Sequence, residues 1–421
     1  MTIQQSLVWL VMATAFLGFV SSTSAEITMD WVDVGDPGNP EWPGVKKDGT
    51  EGYGAVDYSF RMGKYEVTNS QYADFLNAVA TTDSNNLFHT SMETHYIGGI
   101  TQTGTSGSYT YSPKANMDNK PVNYVSWFDA ARFANWLHNG QPSGMQDSTT
   151  TEDGAYTFSG PETVGTRNSG AQVFVPNEHE WDKTAWYEPG AFTRLGDGWW
   201  YVTSRTDACC PTPALVDATG NVTNPGPNVS NYRKSANWNG STHGNVVTVG
   251  SAGNESYYGA RDMGGNVFEW VTADPTKPDP NGWGPYTVRG GSYLRYGHIH
   301  SDERNLVHHH NHAVVAAEVG FRLAALPEPP PLTGDYNLDG DVDAADYTIW
   351  RDHPGGPISP GTAADGDGDG IIGPLDYLVW KTHFGGSAAN GSLGSPVPEP
   401  ATLSLALFAL ASLSSRVWRR S

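Results

Sequence analysis

Cysteine is nearly missing: the 421 residues include two, Cys209 and Cys210, and they are neighbours. Adjacent cysteines cannot staple distant elements, and a bond between them is strained. A disulfide scaffold is therefore excluded, and a minor local role, free or paired with each other, is expected in place of a reactive thiol. Positive charge is also scarce. Lys and Arg number 24 against 45 Asp and Glu, a formal charge of −21, which argues against nucleic acid as a partner. Apolar runs are short: neither Leu7 to Val20 nor Ala401 to Leu413 comfortably spans a bilayer. Nothing resembling a Ser-His-Asp triad or a phosphate-binding loop stands out. Glycine, proline and tryptophan are plentiful, at 49, 28 and 15, and predict a loop-rich fold held by aromatic packing, not a helical bundle. A hydrophobic content of 38% at this length supports one large domain with smaller modules.

The first apolar run is followed by Ser21 to Ala25, with small residues where a signal peptidase reads. We expect residues 1–25 to be a secretory signal cleaved after Ala25, although Met1 to Ser6 lack the usual Lys or Arg. Thr68 and Gln71 then have capping-box spacing, with Tyr72, Phe75, Leu76 and Val79 behind them at helical intervals. The same pattern returns at Ser126 and Asp129, ending at Asn139-Gly140, and again at Asn177 and Glu180. Between these helices, Gly98 to Ser112 and Asp217 to Gly244 read as long loops.

The densest stretch is Arg261-Asp262-Met263-Gly264-Gly265-Asn266-Val267-Phe268-Glu269-Trp270. Its glycines permit turns closed to other residues, while Asp262 and Glu269 can turn oxygens inward beside freed carbonyls. That chemistry suits a hard cation such as calcium, and a tight turn before a buried strand explains the same residues without metal.

Six blocks carry a family resemblance. They are Tyr65-Glu66-Val67-Thr68 with Tyr72 and Phe75; Lys120-Pro121-Val122 with Val125 to Ala130; Val175 to Trp181; Asp262 to Trp270; Val288-Arg289-Gly290-Gly291-Ser292; and Gly320-Phe321-Arg322. In order and spacing they resemble the formylglycine-generating, or sulfatase-modifying-factor, family. The resemblance implies an α+β fold, a loop-rich variant of the C-type lectin fold with little regular structure. It implies calcium at the Asp262 and Glu269 side chains and the Gly265 and Val267 carbonyls, and a second calcium near Asn237 and Trp238. Family oxidases also hold copper with two cysteines after the Arg-Gly-Gly-Ser block. Here Arg295 and His300 stand at those positions, so copper is not expected. Ser292 is a candidate polar contact to substrate, or a buried serine satisfying backbone groups. His298 and His300, with one of His308, His310 or His312, suggest a replacement transition-metal centre; a solvated histidine-rich loop is the alternative.

After the stiff linker Leu326 to Pro331, Asp335, Asn337, Asp339, Asp341 and Asp346 provide oxygen ligands along a turn with Gly340 at its sixth position. Asp365, Asp367, Asp369, Ile371 and Asp376 repeat the pattern around Gly370, and each copy leads into an aromatic helix start. The duplication resembles a type I dockerin, a small paired F-hand helical module, which implies calcium and a cohesin-like protein or cell-surface polymer as partner. Val397-Pro398-Glu399-Pro400, the following apolar run, and Arg416, Arg419 and Arg420 resemble a PEP-CTERM sorting tail. That implies an exosortase-type enzyme, with the C-terminal segment anchored transiently or permanently in the inner membrane. The expected organisation is signal 1–25, sulfatase-modifying-factor domain 26–326, linker 327–332, dockerin-like repeats 333–386, linker 387–396 and sorting segment 397–421. The expected function is a calcium-stabilised binding or interaction protein of the cell envelope. The alternative is a formylglycine-generating-type oxidase, or another metal-dependent enzyme acting on exported proteins through a histidine-based site.

Overall fold

Capping chemistry sets where the helices begin. In the computed structural model the side chains of Thr68, Ser126 and Asn177 accept from the backbone N–H groups of Gln71, Asp129 and Glu180, whose side chains reach back to the cap. Two orphan donors at each helix start are thereby satisfied, at the three places the spacing predicted. The structure describes residues 26–45, 51–193, 198–205, 210–274, 276, 285–294, 315–327, 332–353, 355 and 364–387.

In chain order the elements are β1 (Trp31–Val34), β2 (Phe60–Gly63), α1 (Asn69–Val79), α2 (Ser91–Thr94), β3 (Ile100–Thr103), β4 (Thr110–Pro113) and α3 (Trp127–His138). There follow β5 (Phe158–Gly160), β6 (Thr163–Val164), β7 (Val173–Phe174), α4 (Glu178–Trp186), β8 (Thr212–Pro213), β9 (Val229–Ser230), β10 (Phe268–Thr272) and β11 (Tyr286–Arg289). The last are β12 (Val319–Gly320), β13 (Ala324–Ala325), α5 (Ala344–Asp352) and α6 (Pro374–His383). The result is a mixed α/β, loop-rich fold with few helices. Gly98 to Ser112, read as a loop, contains the β3–β4 hairpin. Its Gly and Ser content hid the strand-forming pairs Ile100, Thr101 and Thr110, Tyr111.

The chain divides into two compact units after Pro327. In the first, a four-stranded sheet has the order β1-β2-β13-β7, so a strand near the end of the unit pairs with one near its start. A second sheet, β11-β10-β12, joins β10 antiparallel to β11 and parallel to β12. Between them lies an aromatic core: Phe75 and Phe133, with ring centroids 5.2 Å apart, bring α1 and α3 together, and Tyr72 and Phe133 both meet Phe321. Each fully buried phenylalanine contributes roughly 1.5–3 kcal/mol relative to exposure.

In the second unit the helices of the two repeats meet through Tyr347, Trp350, Tyr377 and Trp380, with Trp350 and Tyr377 centroids 5.1 Å apart. Trp350 Nε1 donates to the Gly373 carbonyl at 2.7 Å, and Trp380 Nε1 donates to the Asp343 carbonyl at 2.7 Å. These bonds are equivalent under the repeat, so each helix is tied to the loop exit of the other copy. The duplication seen in the sequence is thus a reciprocal pair in space.

Candidate functional site

Asp262, Gly265 and Asn266 all have φ in the left-handed region, at 54°, 105° and 58°. Three such residues within five form the strained turn that the glycine-rich stretch predicts. Asn266 ties it down: its Oδ1 accepts from Val247 N–H and Asn231 Nδ2, and its Nδ2 donates to Glu66 Oε1 at 3.1 Å. At Gly265 a Cβ would lie 2.5 Å from the Asn231 carbonyl oxygen, besides facing an unfavourable φ. Gly265→Ala is expected to destabilise the first unit by about 2–4 kcal/mol in chemical denaturation. A change within about 0.5 kcal/mol would show that the turn relaxes freely.

The turn delivers Glu269 into the protein interior. Arg322, fully buried, donates from Nε to Glu269 Oε2 and from Nη2 to Glu269 Oε1, both at 2.6 Å. Trp181 Nε1 donates to Oε2 at 2.6 Å as well. The remaining guanidinium hydrogens reach the carbonyls of Gly63, Lys64 and Arg261. Burial, followed by the charges of Asp262 and Glu269 outweighing the attraction of Arg322, pushes Glu66 well above the carboxylate range. Burial likewise brings Asp262 to about 6, although the Gly250 N–H and Arg322 pull it down. Arg322 thus supplies the positive charge bonded directly to Glu269 in this hub. Sequence reasoning missed two participants. Glu66 Oε2 and Asn231 Oδ1 are buried without a hydrogen-bond partner, and only the folded arrangement shows it.

The second unit contains a different set of carboxylates. Asp365, Asp367 and Asp369 each place an oxygen within 4.8 Å of the others, the sole grouping of three or more His, Cys, Asp or Glu side chains of this kind among the described residues. Asp365 also accepts from the N–H groups of Asp369 and Gly370, and Asp376 accepts from Asp367 and Gly373. The first copy repeats this: Asp335 accepts from Asp339 and Gly340, and Asp346 from Tyr336, Asn337 and Asp343. Asn337 Nδ2 donates to Asp339 Oδ2, the Asp341 N–H to Asp339 Oδ1, and the Ile371 N–H to Asp369 Oδ1. At Asp367 the Asp369 N–H favours the charged form, but desolvation and the charges of Asp369, Asp376 and Asp365 outweigh it and hold the carboxyl high. Converging hard oxygens under mutual repulsion fit calcium.

The family model described as the sulfatase-modifying factor enzyme 1-like domain matches residues 53–326. The chain belongs to this family. A second model, the PEP-CTERM protein-sorting motif, matches residues 396–421; it implies recognition by an exosortase-type sorting enzyme and an exported, envelope-associated protein. Among the described residues no helix is long and apolar enough to cross a membrane. No curated protein matches the chain. Among solved structures, the sulfatase-modifying-factor chain is similar to the crystal structure of CarF, at 21% identity over 72% of this chain and 99% of that one, with a TM-score of 0.39. It is also similar to variable protein 1 of Treponema denticola, at 14% identity over 70% and 95%, TM-score 0.38. PvdO from Pseudomonas aeruginosa matches at 16% identity over 71% and 92%, TM-score 0.33.

The remaining expected site residues of this sulfatase-modifying-factor chain have structural assignments where they are described. Ser292, buried, donates to Glu318 Oε2 at 2.7 Å and accepts from the Leu294 N–H. Asn237 Oδ1 accepts from the Gly244 N–H, and Trp238 Nε1 donates to the Val246 carbonyl. The Val267 side chain is buried beside Trp238 in a small apolar cluster. Cys210 is disulfide-bonded. Arg295, His298, His300, His308, His310 and His312 lie outside the described residues.

Proposed function

We propose that this exported sulfatase-modifying-factor protein is a binding or interaction protein whose C-terminal repeats form a dockerin-like, calcium-organised module. The observation that carries the proposal is the convergence of Asp365, Asp367 and Asp369 in one of two loops linked by reciprocal tryptophan bonds. Asp335, Asn337, Asp339, the Asp341 position and Asp346 would hold one calcium. Asp365, Asp367, Asp369, the Ile371 carbonyl and Asp376 would hold the other. Calcium would supply the charge these carboxylates lack, and the module would then present its surface to a cohesin-like protein or a cell-surface polymer. The first unit, in this reading a variant of the C-type lectin fold, has no cysteine after Arg289-Gly290-Gly291-Ser292, which favours binding over copper-dependent oxidation.

Isothermal titration of the full chain with calcium is expected to show two high-affinity sites. Asp365→Asn combined with Asp367→Asn should remove one of them or weaken it at least a hundredfold. Heat signals identical in the parent and the variant would refute the assignment.

A further inference from the structure

The two loops of the second unit share one hydrogen-bonded frame. Asp335 accepts from the N–H groups of Asp339 and Gly340, and Asp365 accepts from those of Asp369 and Gly370. Asp346 and Asp376 close the loops by accepting from Asp343 and Gly373. The third positions match as well: Asn337 Oδ1 and Asp367 Oδ1 accept from the Asp339 and Asp369 N–H groups at 3.0 and 3.1 Å.

The loops part at the other end atom of that side chain. At Asp367 it is a second carboxylate oxygen, and Asp365, Asp367 and Asp369 bring oxygens within 4.8 Å of one another. At Asn337 it is an amide nitrogen, which donates to Asp339 Oδ2 at 2.7 Å and so satisfies a charge that the other loop leaves open. Asp365, Asp367, Asp369 and Asp376 thus offer a cation four carboxylates, and Asp335, Asp339 and Asp346 offer three. The first loop's other acids do not restore the balance. Asp343 Oδ1 is taken by the Ala345 N–H at the start of α5, and Asp341 stands where such loops use the backbone carbonyl.

One residue links the two closing carboxylates. The Tyr336 N–H is held by Asp346 Oδ1, and its hydroxyl donates to the Asp376 carbonyl at 2.6 Å. On the calcium reading of the repeats, on which this rests, we infer that the 365–376 loop fills first and the 335–346 loop second, with Asp367 against Asn337 setting the order. Calcium affinity in loops of this kind rises with ligand charge, and the extra carboxylate is expected to be worth about tenfold. Through Tyr336 each filled loop favours the other, by the same factor in both directions. Between the two calcium levels the module holds a single ion, in the second repeat.

Hydrogen exchange on the full chain over graded free calcium resolves the two loops separately. Peptides covering 365–376 are expected to reach half-protection at about tenfold lower calcium than those covering 335–346. Asn337→Asp should bring the two midpoints together, and Asn337→Asp combined with Asp367→Asn should reverse their order. These exchanges of Asn and Asp nearly conserve side-chain shape, and the parent comparison stands without them. Coincident midpoints in the parent, protection of 335–346 first, or an order unchanged in the double variant would overturn the inference while leaving calcium binding intact. Loops indifferent to calcium at every concentration would remove the calcium reading itself, and the loading order with it.

Discussion

Arg322→Met destabilises the first unit by about 3–5 kcal/mol, the cost expected when one partner of a buried ion pair is removed. The side chain is fully buried, and its loss strips Glu269 of two short bonds and leaves Glu66 and Asp262 without their nearest cation. It also frees three backbone carbonyls that the guanidinium now satisfies. The pH dependence has a definite sign. Glu66 and Asp262 have folded pKa values raised above the unfolded ones, so their protonated forms add stability that is lost as pH rises through the folded values, about 6 for Asp262. Arg322 lowers both, and removing it raises them further. The deficit of Arg322→Met should therefore grow from pH 5 to pH 8, and Glu269→Gln in the same chain should recover part of it. Urea denaturation at several pH values measures this. A loss below about 1 kcal/mol, flat with pH, would mean that another cation fills the hub.

The second large effect is expected at Asp346. This buried carboxylate receives the N–H groups of Tyr336, Asn337 and Asp343, closing the first loop and capping α5 together. Asp346→Ala leaves three donors unpaired, at roughly 1–3 kcal/mol for each that stays buried. The damage should spread to the other repeat. Tyr336 donates to the Asp376 carbonyl at 2.6 Å, occupying space beside Gly366 where a Cβ would lie 2.4 Å from its hydroxyl oxygen. Trp350 and Trp380 bind across the pair in the same way. Loss of the α6 helical signal along with that of α5, at saturating calcium, is the predicted result. Retention of α6 protection in Asp346→Ala would show that the repeats fold independently.

What could be read along the chain was local chemistry. The boxes at Thr68, Ser126 and Asn177 were legible because each cap and its partner are three residues apart, and the repeated carboxylates declare themselves by spacing. Pairing over distance was not legible. Glu269 and Arg322 belong to separate blocks, and nothing in either names the other. Glu66 sits beside a cap, where an acid already has an ordinary explanation; its unpartnered oxygen emerges only once Asn266 and Asp262 surround it. His179 and Asp274 likewise meet through the ends of α4 and β10, from positions with no shared motif. The β3–β4 hairpin was hidden by its own glycines and serines, since composition marks a turn more strongly than the short strands beside it.

The central claim is that calcium organises the repeats, and hydrogen exchange on the full chain tests it most directly. With calcium present, peptides covering 344–352 and 374–383 should be protected; after chelation their protection should collapse while peptides from 127–138 remain unchanged. Equal protection of the repeats with and without calcium would contradict the account.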